Sequence, residues 1–238
     1  MILLDNITKR YGKKAAVDGL SLAVRDGSAF GFLGQNGAGK TTTMKMIVGL
    51  ASPDSGTINI GGKPATDIAM RADLGYMPEA PYFYERLTGA EFLRFCAELF
   101  DKNLSGSECD ALLKQVGLQA ARDKAIGAYS KGMKQRLGFV QALVNDPEYI
   151  LLDEPLDGLD PIGRKEIKNI IRELRSRGKT IFFNSHILYD TEELCDEIGI
   201  LHEGRLIYSG SVKEFCTGKP LEERFVAVVE ALAEPHQK

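Results

Sequence analysis

The chain has 238 residues, enough for a sizeable buried core in one domain or in one domain with an insertion. A hydrophobic content of 44% with 26% charged residues is that of an ordinary globular protein, and a net charge of −3 gives no general attraction to nucleic acid. Asp5, Lys9, Arg10, Lys13 and Lys14 interrupt the first apolar positions, unlike a signal peptide, and no run approaches the roughly 20 apolar residues that cross a bilayer, so a membrane role requires a partner.

Ile2-Leu3-Leu4 with Ile7 predicts a strand, and Tyr11-Gly12-Lys13-Lys14 a turn. Leu20, Leu22 and Val24 alternate as a second strand does, and Asp26-Gly27 is a hairpin signal. The chain therefore opens on antiparallel strands. Ser28-Ala29-Phe30-Gly31-Phe32-Leu33 reads as a short buried strand, and residues 43–50 place Met44, Ile47 and Val48 on one helical face.

Between that strand and that helix stands Gly34-Gln35-Asn36-Gly37-Ala38-Gly39-Lys40-Thr41-Thr42, which satisfies the pattern glycine, four residues, Gly-Lys-Ser/Thr. Glycines let the backbone curl until successive N–H groups point into one concavity. The unpaired N–H groups and partial positive charge of the helix start face the same place. Lys40 then reaches the β- and γ-phosphates of a nucleotide, and the Thr41 hydroxyl ligates Mg²⁺. Asn36, Gly37, Ala38, Gly39 and Thr42 complete a predicted nucleotide phosphate site.

Pro53-Asp54-Ser55-Gly56 punctuates the next link, and Thr57-Ile58-Asn59-Ile60 is a strand ending at Gly61-Gly62. Leu74-Gly75-Tyr76-Met77 is another, stopped by Pro78. From about residue 85 the period becomes helical. Phe92, Cys96, Leu99 and Phe100 share one face, Leu112, Leu113 and Val116 another, and Ser105 with Glu108 forms a capping-box pattern. This stretch, to Asp146-Pro147, reads as a helical insertion.

Tyr149-Ile150-Leu151-Leu152 is an unbroken apolar run, as in a strand buried on both faces. Asp160-Pro161 opens a helix, Ile167, Ile170, Ile171 and Leu174 line its inner face, and Gly178 ends it. Thr180-Ile181-Phe182-Phe183 is the next strand, and His202-Glu203-Gly204-Arg205 a hairpin turn. Residues 211–216 and 221–232 read as short terminal helices, with a frayed tail from Ala233. Cys96, Cys109, Cys195 and Cys216 are scattered, and read as buried thiols of a reducing compartment.

Asp153-Glu154 carries the second half of the chemistry. A carboxylate at the end of a buried strand needs a cation or donors to meet it. In a phosphate-loop protein that cation is Mg²⁺, shared with Thr41, and Glu154 lies where it orients the water that attacks the γ-phosphate.

Over nearly its whole length the sequence resembles the nucleotide-binding subunits of ABC transporters. Residues 34–42 resemble the family's Walker A loop and residues 149–154 its Walker B strand with the catalytic glutamate. Tyr129-Ser130-Lys131-Gly132-Met133 falls where the family carries its Leu-Ser-Gly-Gly-Gln signature, Gly158-Leu159-Asp160 resembles the D-loop, and His186 sits at the switch histidine. Tyr11 occupies the place of the aromatic that stacks on adenine.

The resemblance implies an α/β P-loop NTPase (RecA-like) core at residues 1–84 and 148–210. That core would carry an N-terminal antiparallel β-subdomain, an inserted helical subdomain at 85–147 and C-terminal helices at 211–238. It also implies that two copies meet head to tail around ATP, so that Ser130, Gly132 and Asp160 of one face the nucleotide of the other. An integral membrane permease subunit would be the working partner, and the cytoplasmic face of the inner membrane the location.

Two departures from the family pattern stand out. Lys131 and Met133 replace a signature glycine and glutamine, and Lys131 either adds charge near the phosphate or faces solvent. Glu79 stands where the family has a glutamine that touches Mg²⁺ and the attacking water. These variants resemble stand-alone ATPase subunits of bacterial export systems, in which Tyr82, Phe83 and Tyr84 would border the groove for the membrane partner, unless they pack locally. Two alternatives stay open: a non-transport ABC ATPase acting on nucleic acid or ribosomes, and a regulatory nucleotide-binding subunit of low turnover.

Overall fold

The computed structural model describes residues 1–233. Its strands are β1 (Ile2–Tyr11), β2 (Lys14–Val24), β3 (Ala29–Gly34), β4 (Ser55–Ile60), β5 (Lys63–Pro64), β6 (Leu74–Met77), β7 (Tyr149–Asp153), β8 (Thr180–Asn184), β9 (Glu197–His202) and β10 (Arg205–Ser211). Its α-helices are α1 (Lys40–Ile47), α2 (Gly89–Glu98), α3 (Gly106–Gln115), α4 (Lys131–Gln141), α5 (Pro161–Ser176), α6 (Leu188–Leu194), α7 (Val212–Cys216) and α8 (Leu221–Ala233). They fall into two compact units, one made of residues 1–65 and 183–238, the other of residues 66–182.

In the first unit β1 pairs antiparallel with β2 on one side and with β4 on the other, and β5 extends β4. The turn at Gly12, with φ 62, closes the β1–β2 hairpin where a turn was expected. Asp26-Gly27 does something else. It carries the chain out of this sheet into β3, which pairs in parallel with β9, so the hairpin expected there is absent. The turn residues were read correctly but the partner was not, because β3 is apolar along its whole length and is buried on both faces. β9 and β10 form the expected hairpin, with Glu203 and Gly204 both at positive φ, as a tight two-residue turn requires.

Phe30, Phe32, Leu33, Ile198, Ile200 and Leu201 from these strands are each at most 1% exposed, as are Met44 and Ile47 of α1, and together they form the core of this unit. Helix α6 has no counterpart in the sequence reading; its seven residues offer too few apolar positions for a period to register. The terminal helices α7 and α8 stand where expected. The frayed tail lies, beyond Ala233, outside the described residues.

In the second unit β6 and β7 pair in parallel, Leu74 against Tyr149 through Met77 against Leu152. Every residue of β7 is buried, including its last, Asp153. Asp160 caps α5 by accepting from the Gly163 N–H at 2.7 Å, Pro161 takes the first helical position, and Gly178, with φ 85, follows the end. Its inner face is Ile167, Ile170, Ile171 and Leu174, all buried; burial of each such side chain stabilises by about 1.5–3 kcal/mol.

Helices α2 and α3 both start on complete capping boxes, Thr88 with Glu91 and Ser105 with Glu108, of which the sequence reading found only the second. Phe92 and Cys96 are buried as expected, but Leu99 is 69% exposed, because α2 stops at Glu98 and Leu99 only caps it. Helix α4 ends at Gln141, four residues before Asn145. The Asn145 side chain donates to the carbonyls of Ala72, at 2.6 Å, and Leu74, and so stitches the end of this segment to the start of β6.

Candidate functional site

The phosphate loop lies between β3 and α1 in the first unit, in the setting its pattern needs. Its backbone turns through Gly37 at φ 80 and Gly39 at φ 109, and the Ala38 N–H donates to the Gln35 carbonyl at 3.1 Å. A Cβ at Gly39 would fall inside the Ala16 carbonyl oxygen, so the residue is glycine for space as well as for conformation. At Gly37 nothing lies within 4 Å of the missing Cβ. That side, with Asn36 and Gly37 exposed and Ala38 buried, is open enough to admit an anion to the loop.

Lys40 is 8% exposed and folded back, its ammonium donating to the Gly34 carbonyl at 2.7 Å and the Gln35 carbonyl at 3.2 Å. Thr41 and Thr42 are half-buried in the first turn of α1, and Thr43 ties that turn down by donating its hydroxyl to the Gly39 carbonyl at 3.0 Å. The β9–β10 turn supports the loop from outside. The Gly204 N–H donates to the Ala38 carbonyl at 2.9 Å, and the Gly204 carbonyl accepts from the Asp18 N–H at 2.8 Å. Sequence reasoning found this turn but gave no hint that it holds the phosphate loop.

Two further predicted residues belong to this unit. His186 is exposed just after β8, on a turn in which the Ser185 hydroxyl accepts from the Ile187 N–H at 3.1 Å. Tyr11 is 56% exposed at the end of β1. The Lys9 ammonium lies 5.8 Å from the centroid of its ring, and Asp54 anchors that lysine at 2.9 Å. The Lys9 ammonium and the Arg10 N–H together hold the Asp54 carboxyl below the ordinary carboxylate range.

The second unit carries the acidic residues. Asp153 is fully buried at the end of β7. Glu154 follows it at φ 53, a left-handed conformation that a residue with a Cβ rarely takes. Its carbonyl accepts from the Gln135 side-chain amide at 2.7 Å and from the Asp157 N–H at 3.1 Å. Tyr76, on β6, has a buried hydroxyl that makes no hydrogen bond among the described residues. Burial, then the charges of Asp153 and Glu79, push it from 10.0 to about 12. Glu79 itself is exposed, just past the end of β6.

Ser130, Gly132, Glu154 and Asp160 are brought together around the start of α4. Ser130 caps that helix by accepting from the Met133 N–H at 3.2 Å, and Gly132 lies against Gly158, whose carbonyl is 3.3 Å from the position a Cβ would take. Lys131, for which the sequence left two readings, is exposed as in the solvent-facing one, with its ammonium paired to Asp157 at 2.7 Å and its stem over Gly158. Arg136 donates to the Val116 carbonyl at 2.8 Å and to Glu166 at 2.6 Å, with Asp160 at 3.8 Å. Gln135, Asp157 and Arg136 carry no sequence signal of their own; polar side chains on a helix read as solvent-facing until a partner is seen.

The aromatic run divides. Tyr82 and Tyr84 are exposed as expected, but Phe83 is 8% exposed, packed edge-on against Phe92 at 5.2 Å between centroids. The run borders a groove of about 460 Å³ lined by Pro81, Tyr82, Phe83, Tyr84, Glu85, Arg86 and Lys134.

Thr41 and Asp153 are hard oxygen donors of the kind Mg²⁺ accepts. No group of three or more His, Cys, Asp or Glu side chains that could hold a metal occurs among the described residues. Mg²⁺ commonly takes one or two protein oxygens together with substrate phosphates and water. All four cysteines are free and buried, and burial pushes the Cys96 thiol up to about 11.

A glycine-rich loop between a buried parallel strand and a helix, with its lysine folded into the loop, defines the α/β phosphate-loop class of NTPase fold. The family described as ABC transporter matches residues 17–157. The chain is 48% identical over 206 residues to an uncharacterized ABC transporter ATP-binding protein of Nostoc sp. (strain PCC 7120), covering 85% of this chain and 62% of that one. It is 45% identical over 212 residues to the bacitracin transport ATP-binding protein BcrA of Bacillus licheniformis, covering 87% and 68%. A solved structure of the ATP binding subunit of an ABC transporter superposes with a TM-score of 0.88 at 31% identity, covering 96% of this chain and 99% of that one. The chain belongs to the ABC transporter family, as an ATP-binding domain of it. It spans less than two thirds of the length of the Nostoc relative.

Proposed function

We propose that this chain hydrolyses ATP as a subunit of an ABC transporter, closing with a second copy around the nucleotide to drive an integral membrane permease, in the export direction. The observation that carries the reading is the phosphate loop, with Lys40 folded into it and an open face at Gly37. The ATP-binding core is taken as residues 1–84 and 148–210, the helical subdomain as 85–147, and the C-terminal helices as 211–238.

In this reading Lys40 exchanges its loop carbonyls for the β- and γ-phosphates, while the amides of residues 36–42 hold the phosphate oxygens. Tyr11 stacks on the adenine. Thr41 and Asp153 would hold Mg²⁺, with Glu79 as a further oxygen, and the ion supplies neutralisation of charge on the phosphates. Glu154 orients the attacking water and His186 contacts the γ-phosphate. Ser130 and Gly132 of the second copy, with its Asp160, meet the same nucleotide at the start of α4.

ATP favours the closed pair because its γ-phosphate touches both copies only there, and cleavage removes those contacts. No helix among the described residues is long and apolar enough to cross a membrane, and in this reading a separate permease forms the transport path. The groove beside Tyr82 and Tyr84 takes a helix of that permease at the cytoplasmic face. The deciding experiment is ATP hydrolysis by the chain alone and after co-purification from detergent extract. Turnover stimulated by an integral membrane protein that co-purifies supports the reading, and no turnover in either preparation refutes it.

A further inference from the structure

We propose that Gln135 is the positioning residue for Glu154, so that helix α4 sets the direction of the carboxylate that handles the attacking water. The inference rests on the reading of Glu154 given above. Glu154 leaves a fully buried strand in the left-handed conformation, which turns its side chain away from the line the strand would have given it. Whatever fixes the peptide plane after Glu154 therefore helps set the direction in which its side chain leaves the backbone.

Two donors meet the carbonyl of that plane. One, the Asp157 N–H at 3.1 Å, belongs to the same turn and moves with it. The other, the Gln135 amide at 2.7 Å, comes from α4 and from a side chain only 4% exposed. Two neighbours on the same helix hold the rest of the loop: Lys131 reaches Asp157, and Arg136 approaches Asp160. Those two contacts are ion pairs with exposed carboxylates, 42% and 68% accessible, which solvent and salt screen. The Gln135 bond is directional and shielded, and its acceptor is the backbone of the reacting residue itself. In this reading Gln135 acts through Glu154, whose backbone carbonyl it meets directly.

The test is steady-state ATP hydrolysis by the full chain, together with its permease if turnover requires it. Gln135→Leu keeps the volume and removes the donor. Its kcat should fall about tenfold to a hundredfold while KM for ATP stays within about threefold, because the phosphate loop is untouched. Gln135→Glu is isosteric and gives a readout that mere support of the fold would not move. A carboxyl buried there titrates high and donates to the Glu154 carbonyl only when protonated. The ratio of its kcat to that of the unaltered chain should therefore climb about fivefold or more from about pH 8.5 to about pH 6.

A flat ratio across that range, or a Leu variant within twofold in kcat, overturns the proposal. Should the Leu variant fail to fold, the isosteric variant decides alone. Glu154→Gln is assayed alongside. If it is inactive while both Gln135 variants behave normally, only the positioning role is lost; if it turns over normally, the reading of Glu154 falls and takes this one with it.

Discussion

The Lys40 ammonium lies 2.7 Å from the carbonyl oxygen of Gly34, six residues earlier in the same loop. The lysine thus braces the phosphate loop, and in the proposed reading a nucleotide replaces those carbonyl oxygens with phosphate oxygens. A hydrogen bond to a charged group contributes about 1.5–3 kcal/mol, or about tenfold to a hundredfold in affinity. Lys40→Met should weaken ATP binding by that factor in a fluorescent-nucleotide titration. An unchanged dissociation constant would mean that the ammonium never leaves Gly34.

Glu154→Gln keeps the size and the left-handed backbone of the residue while removing the charge that polarises water. It should bind ATP normally, lower kcat by about a hundredfold or more, and accumulate as an ATP-bound dimer. Light scattering with and without nucleotide, together with phosphate release, checks both halves. A variant that stays monomeric at saturating ATP, with permease present, would count against the closed pair.

The glycines of the phosphate loop are not equivalent. Gly39→Ala drives a methyl group into hard contact with the Ala16 carbonyl oxygen and should distort the loop, with a loss of thermal stability well beyond the conformational term alone. Gly37→Ala meets open space and bears only the strain of its φ of 80, about 1–2 kcal/mol. Thermal unfolding of the two proteins should separate them clearly, with Gly37→Ala folded and impaired mainly in nucleotide binding. Equal unfolding temperatures would contradict the packing described at Ala16.

Tyr76 gives the chain a measurable alkaline response. Its folded value of about 12 lies above the ordinary 10.0, so the folded state keeps a proton that the unfolded state releases. The stability this provides is complete below pH 10 and is lost as the pH rises through 12. Tyr76→Phe should flatten part of the fall in unfolding free energy between those limits. Near pH 7 it should be neutral or stabilising, since it removes a buried hydroxyl that makes no hydrogen bond among the described residues. Superimposable alkaline profiles for the two proteins would place the Tyr76 hydroxyl in water.

The strongest local rules made most elements legible in the sequence. The period-two and unbroken apolar runs located β1, β3, β7 and β8, and Asp160-Pro161 with Gly178 bounded α5 closely. The hairpin expected at Asp26-Gly27 failed for a non-local reason: turn chemistry says that the chain bends, but only the partners available along the chain decide which strand it meets next. Phe83 failed for a similar reason, because an aromatic beside Pro81 looks exposed until Phe92 arrives to cover it. In the candidate site, the phosphate-loop residues and Asp153-Glu154 came from local pattern, and Tyr11, Glu79, Ser130, Gly132, Asp160 and His186 from resemblance to the family's motifs. Those that hold them in place, Gln135, Asp157 and Gly204, are joined to their partners by single hydrogen bonds or ion pairs across distant segments, and no periodicity announces such a contact.

The hydrogen bond from Gly204 to Ala38 has a consequence for the order of synthesis. The phosphate loop leaves the ribosome early, yet the hairpin that braces it is among the last strands to be made. A nascent chain halted after α5 therefore carries every motif of the loop without its outer support. Nucleotide capture during translation should strengthen once residue 204 has cleared the exit tunnel.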